Sequence, residues 1–181
     1  GGITMAITIN GSSNTITGLT AGGLPDASIV AADLASGVGV PEYTSFHAIL
    51  SADQTLSTGT WTDIVFNTDS GSLAWDTGSD YNTSNGQWTV PFTGKYFYYA
   101  SLRFNSLGNG KVCYVALYNG SDQIASSQIK FHQERSGETD FEIKTAGICA
   151  LTANDTVTVK GYHDHGSNRN VNDGQSCFGA F

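Results

Sequence analysis

The stretch KYFYYASLRFN, from Lys95 to Asn105, decides the fold of this chain. Its even positions are apolar or aromatic: Tyr96, Tyr98, Ala100, Leu102 and Phe104. Successive side chains of a β-strand point to opposite faces, so this alternation predicts a strand with one face toward a core. The odd positions include Phe97 and Tyr99. Two aromatic residues on the outward face of a strand need a cover of their own.

The same alternation continues from Tyr43 to the last residue, interrupted by clusters of turn residues. It predicts an all-β sandwich or barrel of antiparallel strands. Strands are predicted near residues 44–51, 61–67, 87–91, 95–105, 111–118, 123–133, 139–151, 156–163 and 176–181. Residues 43–181 are therefore expected to form one head domain.

Residues 1–42 have a different pattern, in which isolated apolar residues are separated by glycine and small polar residues. One copy of such a segment buries too little apolar area to offset the entropy of ordering it. It is either a flexible leader or part of a fibre in which three copies share a core. We expect an extended stalk with at most one short helical turn, over DASIVAADLAS at 26–36.

The outward aromatic residues of 95–105 can be covered by a loop of the same chain or by a second copy. The next strand, Val112–Tyr118, is also apolar on both faces. We favour a second copy, because the stalk independently calls for several parallel chains. The predicted trimer interface comprises Phe97, Tyr99, Val115 and Leu117.

The charge balance limits the choice of partners. Eight Lys and Arg face sixteen Asp and Glu, which gives a formal net charge of −8. This balance argues against nucleic acid and anionic membranes, and it suits an uncharged partner such as a glycan. No apolar run approaches the roughly 20 residues that span a bilayer, so no membrane insertion is expected. The start GGITMAITING does not resemble a signal peptide.

Six residues from Asp76 to Tyr98 follow the spacing D-x4-Y-x6-W-x5-G-x-Y-x-Y. This motif resembles the globular-head signature of the complement component 1q family, which is related to the tumour-necrosis-factor jelly rolls. Trp88 and Tyr98 stand where that family usually has Phe, and Ala100 stands where it has an aromatic residue. The closing FGAF at 178–181 resembles the last strand of the family.

The resemblance implies a ten-stranded antiparallel jelly-roll sandwich that forms a homotrimer at the end of a stalk. The stalk has no Gly-X-Y period, so it is not collagen. It is similar instead to the low-complexity lead-ins of bacteriophage tail-fibre and appendage proteins. Together these resemblances imply a fibre tip on a virion, in the extracellular space, that joins an upstream fibre or virion protein through its N-terminus.

If consecutive strands alternate in direction, the loops at 105–110, 134–138 and 164–175 share the end of the head farthest from the stalk. Loops displayed by a rigid scaffold often carry binding residues. Their amide, guanidinium and carboxylate groups suit a host-surface glycan or a protein receptor, although turn formation alone also explains the Asn and Gly residues. The candidate receptor-binding residues are Asn105, Asn109, Arg135, Glu138, His165, Asn168, Arg169, Asn170, Asn172 and Asp173.

Metal and thiol sites have weak support in the sequence. His163 and His165 are expected on one face of a strand end, where a trimer can gather imidazoles on its axis, but a role other than metal binding is favoured. The stretch 76–80 fits a turn better than a calcium loop. We therefore expect no metal and no other cofactor. Cys113, Cys149 and Cys177 are predicted to be buried thiols and not a disulfide.

The sequence contains no GxSxG, HExxH or phosphate-binding loop motif. A glycosidase pair drawn from Asp140, Glu142 and Asp164 stays open, but the predicted protein is not an enzyme. Three functional hypotheses follow. The first is a receptor-binding viral fibre tip, the second is a structural trimerisation cap or capsid-decoration protein, and the third is a bacterial surface adhesin of the same fold.

Overall fold

The structure is a computed structural model that describes residues 8–10, 15–17 and 44–181. The chain divides into two units, Gly1–Glu42 and Tyr43–Phe181. In the first unit, β1 (Thr8–Asn10) pairs antiparallel with β2 (Thr15–Thr17), a pairing that the sequence pattern did not predict. The helical turn predicted at 26–36 lies outside the described residues.

The second unit is built from strands connected by turns and loops, and its residues 44–181 contain no helix. The strands are β3 (Phe46–Ile49), β4 (Gln54–Leu56), β5 (Thr62–Asp63), β6 (Trp75–Asp76), β7 (Tyr81–Asn82), β8 (Gln87–Thr89), β9 (Gly94–Leu107), β10 (Val112–Asn119), β11 (Asp122–Gln123), β12 (Ile129–His132), β13 (Thr139–Leu151), β14 (Thr156–His163), β15 (Arg169–Val171) and β16 (Cys177–Ala180). In the described part of the chain, no helix is long and apolar enough to cross a membrane.

These strands form two seven-stranded sheets. The first sheet has the order β11-β10-β14-β8-β7, with β12 on β10 and β5 on β14. The second sheet has the order β4-β15-β9-β16-β3-β6, with β13 on β9. The pairings in both sheets are antiparallel, and consecutive long strands such as β9 and β10 lie in different sheets. This strand order confirms the all-β jelly-roll sandwich.

The number of strand segments exceeds the ten that were expected, because several strands are interrupted. β15 and β16 both lie along β9, and β11 and β12 both lie along β10. In the same way, β3 pairs with β16 and β4 pairs with β15. The segment at 75–82 passes from the second sheet at β6 to the first sheet at β7. When these pairs are joined, ten strands remain.

β15 corrects the predicted extent of the loop at 164–175. Residues 169–171 pair with β4, and Val171 also pairs with Phe104 of β9. The stretch RNV is too short and too polar to show alternation in the sequence. Long-range pairing, not local preference, makes it a strand.

The core lies between the two sheets and follows the alternation of β9. The five even positions from Tyr96 to Phe104 are all buried, with at most 8% of each side chain exposed. Phe178 of β16 packs edge-on against Phe46, with their ring centroids 4.9 Å apart, and it also contacts Phe66 and Tyr81. The predicted inward face of 95–105 is therefore confirmed.

The three cysteines are free thiols. Cys113 is fully buried, whereas Cys149 and Cys177 are half-buried. Burial raises the pKa of the Cys113 thiol to about 12, so this sulfur behaves as a small apolar group in the core.

Candidate functional site: an aromatic sheet face and a hydrogen-bonded apex

The outer face of the second sheet carries a continuous group of aromatic and aliphatic side chains. We call it the aromatic face, and it comprises His47, Trp75, Phe97, Tyr99, Ile148 and Phe181. The strand register brings these residues together, because His47 lies opposite Trp75 on one side and Gly179 on the other, and Gly179 lies opposite Tyr99. Ile148 lies opposite Phe97 on the neighbouring strand β13.

This face is open to solvent in the single chain. The exposed fractions are 73% for Ile148, 63% for Phe181, 48% for Trp75 and 37% for Phe97. Scattered exposed apolar residues are ordinary on protein surfaces, but a contiguous patch of large ones marks an interaction surface.

Tyr99 is held in place at the centre of the face. Its hydroxyl lies 2.7 Å from Nδ1 of His47, and the two rings stack with centroids 5.7 Å apart. The His47 ring also stacks on Trp75 at 5.2 Å. The Tyr99 hydroxyl crosses the backbone of Gly179, where an added Cβ would stand 2.4 Å from that oxygen. Glycine at 179 is therefore a steric requirement of the Tyr99–His47 contact.

Burial keeps the centre of the aromatic face uncharged. It raises the pKa of Tyr99 to about 12, and it lowers the pKa of His47 below its ordinary value. At neutral pH the Tyr99 hydroxyl therefore carries its proton and the His47 ring is uncharged, so the hydrogen bond between them joins two neutral groups. An uncharged surface loses less hydration energy when a second protein surface covers it.

Two of the four predicted interface residues lie on this face, namely Phe97 and Tyr99. The assignment of Val115 and Leu117 was wrong, because both are 0% exposed and point into the core from β10. Because β10 is apolar on both faces, its sequence does not show which face points inward. The sequence also gives no sign that Ile148 belongs to the aromatic face, because its place opposite Phe97 depends on a pairing between distant segments.

Beyond the aromatic face, the same sheet becomes polar. Arg103 Nη2 lies 3.1 Å from Asp140 Oδ2, and Lys144 Nζ lies 3.0 Å from Glu142 Oε1. The hydrogen bond from the Ser106 backbone N–H lowers the pKa of Asp140, and the nearby Arg103 guanidinium lowers it further. Lys144 and the Ser101 hydroxyl lower the pKa of Glu142.

The three carboxylates that were considered for a glycosidase have separate partners. Asp140 and Glu142 are paired with cations on the second sheet. Asp164 follows β14 of the first sheet, where its Oδ1 accepts a 2.7 Å hydrogen bond from the Val112 N–H. The structure therefore gives each of these carboxylates a local structural role.

The loops at 57–61, 108–111, 133–138 and 164–168 meet at one end of the sandwich, which we call the apex. Direct hydrogen bonds join them. The Gly166 N–H donates to Thr58 Oγ1 at 2.9 Å, and the Gly110 N–H donates to the Gln133 carbonyl at 2.7 Å. The three loops predicted to share one end thus do so, and the loop at 57–61, which was not predicted there, joins them.

Three of the predicted receptor-binding residues connect the apical loops to one another. Arg169 Nη2 lies 2.7 Å from Glu138 Oε1, and Arg169 Nε donates to the Ser106 carbonyl at 2.9 Å. His165 Nδ1 accepts from the Gly108 N–H at 3.1 Å, and its Nε2 lies 3.4 Å from Glu138. These side chains stabilise the apex from within.

Four further candidates lie on or beside the strands and not on the apical loops. Asp53 accepts hydrogen bonds from the Asn170 and Asn172 side chains and from the Asp173 N–H. The Asn170 carbonyl oxygen Oδ1 also accepts from Thr55 Oγ1 at 2.8 Å. Asn105 is a β9 residue, and the buried Oδ1 atoms of Asn105 and Asn172 have no hydrogen-bond partner among the described residues.

The remaining three candidates, Asn109, Arg135 and Asn168, are exposed at the apex. Within residues 44–181, their side chains make no hydrogen bond or ion pair. They are the predicted residues whose polar groups face solvent and are available to a partner.

His163 is buried at the end of β14. It is 0% exposed, and its ring packs against Phe104 with centroids 6.2 Å apart. Nε2 donates to the Leu56 carbonyl at 3.1 Å, and Nδ1 accepts from the His165 N–H at 3.3 Å. The expected pair of imidazoles on one strand face is therefore wrong, because this residue points into the core. Asp76 closes a turn instead of a metal loop, with its carboxylate accepting from the Gly78 and Tyr81 N–H groups.

No protein-family model and no curated protein matches this chain. Among solved structures, the chain is similar to the globular domain of zebrafish complement 1qA protein, at 15% identity and a TM-score of 0.49, over 76% of this chain and 95% of that chain. It is also similar to Eiger TNF from S. frugiperda, at 13% identity and a TM-score of 0.49, over 76% of this chain and 88% of that one.

The Gly179→Ala substitution tests the packing of the aromatic face. We expect it to lower the free energy of unfolding by about 1–3 kcal/mol, because the new methyl group displaces the Tyr99 ring or the Phe46 carbonyl. Urea denaturation measures this change. Gly94→Ala is the matched control, since its added Cβ stays 3.7 Å from the Tyr96 ring. Equal stability of the two variants would contradict the proposed packing.

The histidines predict a loss of stability on acidification. Burial lowers the pKa of His47, His163 and His165. The unfolded chain therefore binds protons more readily, and the stabilisation is complete above the ordinary value of about 6.5 and decreases as the pH falls below it. The pH range of this histidine effect lies above the pH range in which the Asp140 and Glu142 carboxylates titrate.

Urea denaturation at a series of pH values, for wild type and His47→Gln, measures this effect. The variant should lose less free energy of unfolding than wild type between about pH 7 and pH 5. Parallel pH profiles would show that His47 does not contribute.

Proposed function

We propose that this chain is the trimeric head of a viral fibre or appendage, and that the aromatic face joins the three copies. The observation that carries this proposal is the uncharged, solvent-exposed patch on one sheet, which includes Ile148 at 73% and Phe181 at 63% exposure. A second copy is the proposed cover, and three copies arranged in a ring close the assembly without leaving an open edge. The jelly-roll heads that the 76–98 motif resembles are also trimers.

The second part of the proposal is that the apex contacts a receptor on a host surface, a glycan or a protein. The hydrogen bonds of Arg169, Glu138 and His165 support it, because they fix the loops that display Arg135 and Asn168. A rigid display lowers the entropy lost on binding. The proposed location is the virion surface, in the extracellular space, with the N-terminal unit joining an upstream fibre or virion protein.

A structural cap or capsid-decoration protein is the second candidate. The observation that favours it is that three of the polar apical side chains, Arg169, Glu138 and His165, already bond to one another. In such a protein the apex only closes the end of the fibre.

Light scattering on the purified chain tests the assembly. We expect a mass three times that of the 19.1 kDa chain. Phe97→Lys and Ile148→Lys should each give monomers, because either places a charge in the apolar contact. Ile129→Lys is the control, since Ile129 is 40% exposed but lies on β12 of the other sheet.

If Phe97→Lys fails to fold, the Ile148→Lys variant tests whether the aromatic face is the interface. Ile148 is the most exposed residue of this face and contributes least to the fold. A stable wild-type monomer, or dissociation of the Ile129 variant as well, would contradict the assignment of the interface.

Binding of the fluorescently labelled chain to a panel of intact bacterial strains tests the receptor part. Where wild type binds, we expect the double variant Arg135→Ala, Asn168→Ala to bind at least about tenfold more weakly while its trimer mass is unchanged. A trimer that binds none of the strains would favour the structural cap.

A further inference from the structure

A second group of aromatic residues lies on the outer face of the first sheet. The Trp61 side chain, directly before β5, lies with its ring centroid 5.8 Å from that of Tyr114, 6.0 Å from that of Tyr118 and 5.6 Å from that of Tyr162. The rings of Tyr114 and Tyr162 are 5.6 Å apart. We call these four residues the aromatic platform. All four are half-buried.

The platform is separate from the core. The inward residues of β10, such as Val115 and Leu117, already fill the space between the sheets and are 0% exposed. On the outward side, Ala116 stands between Tyr114 and Tyr118 and is fully buried. Four large rings are more than is needed to shield one alanine from water, so the burial of Ala116 does not explain the platform. A cluster of partly exposed aromatic side chains is typical of a binding surface.

The platform also offers hydrogen-bonding groups that have no protein partner. The hydroxyls of Tyr114, Tyr118 and Tyr162 form no hydrogen bond with any residue in the described ranges. In contrast, the Tyr96 hydroxyl donates to the Phe92 carbonyl at 2.7 Å. The platform therefore combines apolar ring surface with three phenol groups open to a ligand.

The charges around the platform nearly balance. Lys160 Nζ lies 3.1 Å from Asp63 Oδ1 and 5.0 Å from the centre of the Tyr118 ring. Lys130 Nζ lies 5.7 Å from the centre of the Tyr114 ring. The chain as a whole carries −8, which opposes a polyphosphate or an anionic membrane. A ligand that suits this surface is uncharged, with an apolar face and several hydroxyl groups.

We infer that the aromatic platform binds a saccharide ring of a neutral glycan. The C–H face of a sugar packs on the Trp61 and Tyr162 rings, and the sugar hydroxyls bond to the free phenol groups and to Lys160 and Asp63. Trp61 is the last residue of the apical loop at 57–61, so the platform extends the apex along the side of the head. The inference rests on the proposed function only for its biological role, since binding is measurable in any assembly state.

The experiment applies the full chain to an array of immobilised neutral oligosaccharides that present galactose, glucose, mannose, rhamnose and N-acetylglucosamine. The oligosaccharide that binds best is then titrated by calorimetry. Trp61→Ala should weaken binding at least about tenfold, because it removes the central ring. Tyr162→Phe keeps the ring but loses one hydroxyl, so a smaller loss is expected. If Trp61→Ala does not fold, the Tyr162→Phe variant decides.

Two controls locate the site. Phe92→Ala removes an aromatic side chain that is 46% exposed and distant in sequence from the platform, and it should leave binding unchanged. Leu73→Ala removes an apolar side chain that is 72% exposed and belongs neither to the platform nor to the apex, and it should also leave binding of the oligosaccharide unchanged.

Failure to bind any oligosaccharide on the array overturns the inference, and so does binding that survives both Trp61→Ala and Tyr162→Phe. Retention of single-stranded DNA or of anionic vesicles in place of sugars overturns it as well. Light scattering on the same samples keeps the two proposals apart. A trimer without sugar binding refutes only the platform, and a monomer that binds sugar refutes only the trimeric assembly.

Discussion

The structure depends on the burial of β9, which has aromatic residues on both of its faces. Its even residues fill the space between the sheets, and Tyr98 and Phe104 are at most 3% exposed. Its odd residues Phe97 and Tyr99 lie on the opposite side, where the single chain provides only partial cover. Since the hydrophobic contribution grows with the apolar area removed from water, the second face gains stability only from another surface. The fold and the proposed self-association thus depend on the same strand.

The two ends of the second sheet differ in their chemistry. Toward Phe181 its outer face is aromatic, and toward Arg103 it is covered with ion pairs and amides. At the apex, the same kind of polar contact holds the loops together, as in the pair between Glu138 and Arg169. The chain therefore has one surface suited to association and one rigid end that displays side chains. The platform around Trp61 adds aromatic rings with free hydroxyls on the other sheet.

The sequence was sufficient for features that depend on local alternation. The inward face of β9 could be predicted because period-two patterning directly determines which side chains share a face. Features that depend on pairing between distant segments could not be predicted from the sequence. Ile148 belongs to the aromatic face only through its register with Phe97, and β15 exists through its pairing with β4. His163 was expected to share a strand face with His165, because sequence spacing alone does not show that the His163 ring packs beside Phe104 in the core.

The most direct test of this account is hydroxyl-radical footprinting of the wild-type chain in solution, read residue by residue by mass spectrometry. It compares Phe97 and Phe181 of the aromatic face with Phe92, which is 46% exposed and lies outside that face. If a second copy covers the aromatic face, Phe181 should be oxidised more slowly than Phe92, although its exposed fraction in the single chain is larger, 63%. Oxidation rates in the order of the single-chain exposures, with Phe181 the fastest, would contradict the account.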